Sequence, residues 1–64
     1  MISRAMVEYE IHISASYMTD GGTEEGGYFV EYVIAENAAE AEQIKLTELE
    51  AAGYYNIEMH TIEA

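Results

Sequence analysis

The stretch AMVEYEIHISASYM, residues 5 to 18, decides the fold. Ala5, Val7, Tyr9, Ile11, Ile13, Ala15 and Tyr17 fall on one side of a period of two. Met6, Glu8, Glu10, His12, Ser14, Ser16 and Met18 fall on the other. That alternation belongs to a strand with one buried and one open face. TDGGTEEGG, residues 19 to 27, follows with four glycines and no apolar side chain, and reads as a mobile hairpin loop. YFVEYVIA, residues 28 to 35, resumes the alternation. Tyr28, Val30, Tyr32 and Ile34 fall on one side, of which Val30, Tyr32 and Ile34 are assigned to the core, and Phe29, Glu31, Val33 and Ala35 fall on the other, only partly polar, side.

The next segment carries its own boundaries. Asn37 is placed as a helix N-cap, Glu40 three positions on as its capping-box partner, and Gly53 as the residue that ends the helix in a left-handed conformation. At 100° per residue, Ala38, Ala41, Leu49 and Ala52 gather on one side, flanked by Ile44 and Leu46. Lys45, the only lysine, falls inside this apolar arc. It reads as a stem lying along apolar surface, with its ammonium reaching Glu42 or Glu48. After Gly53, YYNIEMHTIEA alternates again, with Tyr55, Ile57, Met59 and Thr61 opposite Asn56, Glu58 and His60.

The order is therefore ββαβ, which predicts an α+β fold. A right-handed crossover through the helix places the third strand beside the first, giving a three-stranded antiparallel sheet of order 2-1-3 with one helix on one face. The predicted core comprises Val7, Tyr9, Ile11, Ile13, Val30, Tyr32, Ile34, Ile44, Leu46, Leu49, Ile57 and Met59. Residues 1 to 64 are expected to form a single compact domain, since 64 residues hold one core at most.

Composition narrows the function classes. Half of the residues are hydrophobic, which argues for folding despite a formal net charge of -11. There is no cysteine, so thiolate metal sites and cysteine nucleophiles are excluded. Arg4 and Lys45 stand against thirteen acidic residues, which argues against direct binding to nucleic acid or to an anionic membrane, because both need cations to neutralise phosphates. No apolar run approaches a membrane span, and MISRAMVEYE lacks an apolar signal segment, so a cytoplasmic location is expected. The loop DGGTEE has neither the ligand pattern of an EF-hand nor the GxxxxGK[ST] pattern of a phosphate loop. His12 and His60 share a predicted sheet face near Glu10 and Glu58, but two histidines on a strand face are ordinary polar residues, and neither metal nor cofactor is expected. Acid/base chemistry needs a concave pocket, which three strands and one helix scarcely enclose, so no catalytic residue is assigned.

The open face is expected to present Glu8, Glu10, His12, Glu31, Glu58 and His60, interrupted by Met6, Met18, Phe29, Val33 and Ile62. Carboxylates at alternate strand positions lie ~6.6 Å apart and neighbouring strands ~4.8 Å apart, comparable to phosphates along a nucleic-acid strand. Three readings stay open: a solvated strand face, a homodimer interface, and a surface for a basic protein. In this profile of size, acidity and compactness the chain resembles the small acidic proteins of phages and mobile elements, including anti-CRISPR proteins. The run VIAENAAEAEQIKLTELEAAGYYNIEMH also resembles a strand, capped helix and strand unit found in phage and plasmid proteins.

The first resemblance implies a non-enzymatic DNA-mimic inhibitor, acting in the host cytoplasm on a basic nucleic-acid-binding protein or nuclease complex. The expected partner-binding residues are Glu8, Glu10, Asp20, Glu24, Glu25, Glu31 and Glu58. The alternative is a small structural or assembly protein that dimerises through the open sheet, for which Phe29→Glu or Val33→Glu is the expected disruption.

Overall fold

The computed structural model describes residues 5–64; Arg4, one of the two fixed cations, lies outside them. The elements are β1 (Val7–Met18), β2 (Glu24–Ala35), α1 (Ala38–Ala51) and β3 (Tyr55–Glu63). The three strands form one antiparallel sheet in the order β2-β1-β3, with α1 on one face, which is the ββαβ architecture expected from the sequence.

The hairpin is tighter than its composition suggests. Only residues 19 to 23 form the loop, closed by the Thr19 N–H donating to the Thr23 carbonyl at 2.8 Å and the Gly22 N–H donating to the Thr19 carbonyl at 2.9 Å. Glu24 to Gly27, expected in a mobile loop, instead belong to β2 and lie opposite Met18 to Ala15. A long central strand supplies a ladder for them, and pairing outweighs the low strand propensity of two glycines.

The same register corrects the facing of β2. Val7 pairs with Ala35, and the ladder runs without a shift to Met18 opposite Glu24. Directly opposed residues share a face, so Tyr9, Ile11 and Ile13 stand beside Val33, Glu31 and Phe29 under the helix. Val33 is buried and Phe29 packs against the core, whereas Val30, Tyr32 and Ile34, expected inside, are exposed. A one-residue change of phase moves every side chain to the other face.

Helix α1 begins and ends by its own chemistry. The Asn37 side chain accepts from the Glu40 N–H at 2.8 Å, and the Glu40 carboxylate accepts from the Glu36 N–H at 3.4 Å. At the far end Gly53 has φ +98°, the Tyr54 N–H donates to the Leu49 carbonyl, and the Gly53 N–H donates to the Glu50 carbonyl. These two bonds form a Schellman motif. The buried positions of the helix are Ala41, Lys45 and Leu49, with Ala38 packed against the core. Ile44 is exposed and Leu46 only half-buried, unlike their expected core places, because the stripe that meets the sheet runs through Ala41, Lys45 and Leu49, and positions 44 and 46 lie about 100° to either side of Lys45.

A β-bulge shapes β3. The β1–β3 ladder runs from Tyr9 opposite Glu63 to Ser14 opposite Glu58, then shifts so that Ser16 faces Tyr55. Ala15 thus meets two residues, Asn56 and Ile57, and Asn56 takes φ +51°. The bulge turns Tyr55 to the open face, contrary to its expected place with Ile57 and Met59. Tyr54 instead joins the helix side, where its ring lies 5.8 Å from Tyr17 and 5.7 Å from Phe29. Asn tolerates the left-handed region that β-branched residues avoid. Asn56→Gly is therefore expected to keep stability, and Asn56→Val to lose about 1–2 kcal/mol in urea unfolding. Equal stability of Asn56→Val would show that no left-handed residue is needed there.

Candidate partner-binding face

The face of the sheet away from α1 is uncovered, and its rows follow from the two registers. β2 contributes Glu24, Tyr28, Val30, Tyr32 and Ile34. β1 contributes Glu8, Glu10, His12, Ser14, Ser16 and Met18 in the middle, and β3 contributes Tyr55, Glu58, His60 and Ile62 on the far side. The face is striped: an apolar and aromatic edge strand runs beside a polar, acidic centre.

A hydrogen-bonded chain joins β1 and β2 on this face. Tyr32 Oη donates to Glu10 Oε1 at 3.3 Å, Glu10 Oε2 lies 2.6 Å from His12 Nε2, and His12 Nδ1 lies 2.5 Å from Tyr28 Oη. A carboxylate only accepts, so His12 Nε2 carries the proton in the neutral ring, and Nδ1 then accepts from the Tyr28 hydroxyl. In the protonated ring both nitrogens donate. His60 stands directly opposite His12, with ring centroids 6.4 Å apart. His12, Ser14, Tyr28, Glu58 and His60 line a shallow, open depression. Among the described residues no group of three or more His, Cys, Asp or Glu is placed to hold a metal ion.

The acids expected to act together are only partly brought together. Glu8, Glu10, Glu24 and Glu58 share the open face, but Glu8 lies opposite Ile34 and Glu58 opposite Ser14, some six strand positions or ~20 Å apart. Asp20 sits exposed in the hairpin turn. Glu25 points to the helix side and accepts from Tyr17 Oη at 3.2 Å. Glu31 does not belong to the open face: it lies beneath the helix, its carboxylate 3.8 Å from Lys45 Nζ. The β1–β2 register takes it there, and Lys45 supplies the counter-charge. Lys45 also donates to Glu48 at 3.0 Å, while Glu42 accepts from Thr61 Oγ1 at 2.6 Å instead of meeting the ammonium.

What the sequence pattern misplaced is the exposed row Val30, Tyr32 and Ile34, which continues Tyr28 along β2. Its signal was present as an alternation but carried no information on which phase faces the helix.

Tyrosine–glutamate pairs leave a titration signature. Tyr32 is held above its usual pKa of 10.0 by the Glu10 charge and then by its hydrogen bond to that carboxylate. Tyr17 is raised likewise by Glu25. Tyr55, donating to Glu24 at 2.6 Å, is raised first by that bond and then by burial. Each neutral hydroxyl supports the fold below pH 10, and that support is lost as pH rises through the raised folded value. Absorbance titration is expected to resolve late-ionising tyrosines, one of which disappears in Tyr32→Phe. Ionisation of all six tyrosines in one step at 10.0 would contradict these pairings.

Comparison with protein-family models, with curated proteins and with solved structures finds no match. Among the described residues no helix is long and apolar enough to cross a membrane.

Proposed function

We propose that this protein is a non-enzymatic inhibitor that binds a basic, nucleic-acid-binding surface of a partner protein or nuclease complex, in the manner of DNA-mimic anti-CRISPR proteins. The observation that carries this reading is the composition of the uncovered face. Exposed Tyr28, Val30, Tyr32 and Ile34 adjoin Glu8, Glu10, Glu24 and Glu58, and among the described residues no Lys or Arg lies on that face. Desolvated aromatic and aliphatic groups supply binding energy, while a net charge of -11 steers a cationic partner and repels nucleic acid. The shallow depression is open to water, so it gives no enclosed setting for acid/base chemistry.

The test is binding to basic nucleic-acid-binding proteins of the host, nuclease complexes first, across a salt series with DNA as competitor. Affinity is expected to fall steeply with salt, to be lost in a Glu8→Gln, Glu10→Gln, Glu58→Gln triple variant, and to be mutually exclusive with DNA. Affinity independent of salt, or simultaneous binding of DNA, would overturn the reading.

Dimerisation through the same face is the second reading, favoured by the exposed apolar row of β2. A solution mass near twice 7.2 kDa would mark it. Because Phe29 and Val33 pack in the core, the informative disruptions are Val30→Glu and Ile34→Glu, not substitutions at 29 or 33.

A further inference from the structure

We propose that the outer edge of β2 accepts one further strand, supplied by an extended segment of the partner in which basic and apolar residues alternate. This rests on the function proposed above and specifies where and in what conformation the partner docks.

Two independent features mark this edge. β2 is the outermost strand of the sheet, and no described strand pairs with its far side. In an antiparallel sheet every second residue of such a strand directs its N–H and C=O outward, a ready template for pairing. Edge strands in folded proteins are normally blunted by brevity, proline, a bulge or charged side chains. β2 runs for 12 residues without a register shift and its sequence EEGGYFVEYVIA contains no proline or lysine, so its guard is the negative charge of Glu24, Glu25 and Glu31, which repels an acidic strand and attracts a basic one. The opposite edge, β3, is shorter at 9 residues and is interrupted by the bulge at Asn56. The second feature is the exposed row Tyr28, Val30, Tyr32 and Ile34, which flanks the edge along much of its length.

The side chains of β2 specify the occupant. On the helix side an added strand comes opposite Glu31, whose side chain remains 47% exposed despite Lys45, and near Glu25; lysine or arginine at those positions complements them. On the open side it lies beside Val30 and Ile34, which favour aliphatic neighbours, and beside the rings of Tyr28 and Tyr32. A second copy of this chain fits less well. It would add another -11 of net charge and set Glu24, Glu25 and Glu31 on both sides of the new ladder.

The experiment uses the full chain and three synthetic decapeptides. One alternates arginine with valine and threonine, one has equal charge with a central proline that cannot continue a ladder, and one has glutamate in place of arginine. Amide exchange and backbone chemical shifts are followed. The alternating peptide is expected to bind and to protect amides within Glu24–Ala35, with the proline and glutamate peptides and the Ile34→Lys variant each about tenfold weaker or worse. Several results would overturn the proposal. Equal binding of the proline peptide, or shifts centred on Glu8, Glu10 and Glu58 with β2 exchange unchanged, would leave the acidic-face reading standing and remove strand addition. Protection of β2 in the peptide-free protein together with doubled mass would identify a second copy as the occupant. Failure of every basic peptide and basic protein to bind would remove both.

Discussion

Val33→Asp is expected to unfold the protein, whereas Ile34→Asp leaves its stability within about 0.5 kcal/mol, as a surface substitution does. The two positions are adjacent in sequence, and both carry β-branched aliphatic side chains. Val33 is 9% exposed and stands opposite Tyr9 under the helix; Ile34 is 60% exposed and stands opposite Glu8. Removing a buried valine costs about 1.5–3 kcal/mol. Placing an unpaired carboxylate there adds a desolvation penalty of several more. A chain of 64 residues without disulfides has a margin of roughly 3–5 kcal/mol, so the sum exceeds it. Circular dichroism with urea unfolding separates the outcomes. The reverse result, Ile34→Asp unfolded and Val33→Asp folded, would place Val30, Tyr32 and Ile34 in the core and reject the β1–β2 register.

That pair of variants addresses the point at which sequence reasoning and structure diverge. In β1 the two phases differ sharply, Tyr9, Ile11 and Ile13 against Glu8, Glu10 and His12, so burial follows directly from the pattern. In β2 both phases are largely apolar. Tyr28, Val30, Tyr32 and Ile34 form the better hydrophobic set, yet the ladder from Val7 with Ala35 to Met18 with Glu24 gives the buried side to Phe29, Val33 and Ala35. Pairing is a property of two strands and the loop between them, and one strand's alternation cannot contain it.

The caps of α1 were legible because Asn37, Glu40 and Gly53 act within a few residues of themselves. The bulge was not, since a left-handed residue at Asn56 interrupts an alternation that otherwise reads through it. The candidate site suffered accordingly. Glu8, Glu10 and Glu58, on strands with distinct phases, stand on the open face, while Glu31 was carried to the other side with its strand.

The displacement of Glu31 gives Lys45 its place, and Lys45→Glu is expected to prevent folding while Lys45→Met is tolerated. The lysine occupies the middle of the buried stripe between Ala41 and Leu49, its side chain 11% exposed, with the ammonium 3.0 Å from Glu48 and 3.8 Å from Glu31. A carboxylate at this position would have neither water nor a cation and would meet two like charges, a loss of about 3–5 kcal/mol, comparable to the whole stability. Methionine keeps the stem and its packing. It removes only the ammonium, and Glu31 and Glu48, with side chains 47% and 58% exposed, can rehydrate, so the loss is expected to stay near 1 kcal/mol. Exchanging Glu31→Val together with Lys45→Met should recover that loss or exceed wild-type stability, since apolar groups of similar volume replace an ion pair at little cost. Urea midpoints of the three variants decide the matter. If Lys45→Met were as damaging as Lys45→Glu, the ammonium itself would hold α1 to β2. If the double variant were less stable than Lys45→Met alone, Glu31 would be contributing more than charge balance beneath the helix. The expected order, double variant at or above wild type, then Lys45→Met, then Lys45→Glu, means that the lysine neutralises a glutamate that strand register forces under the helix. On that account it belongs to the fold.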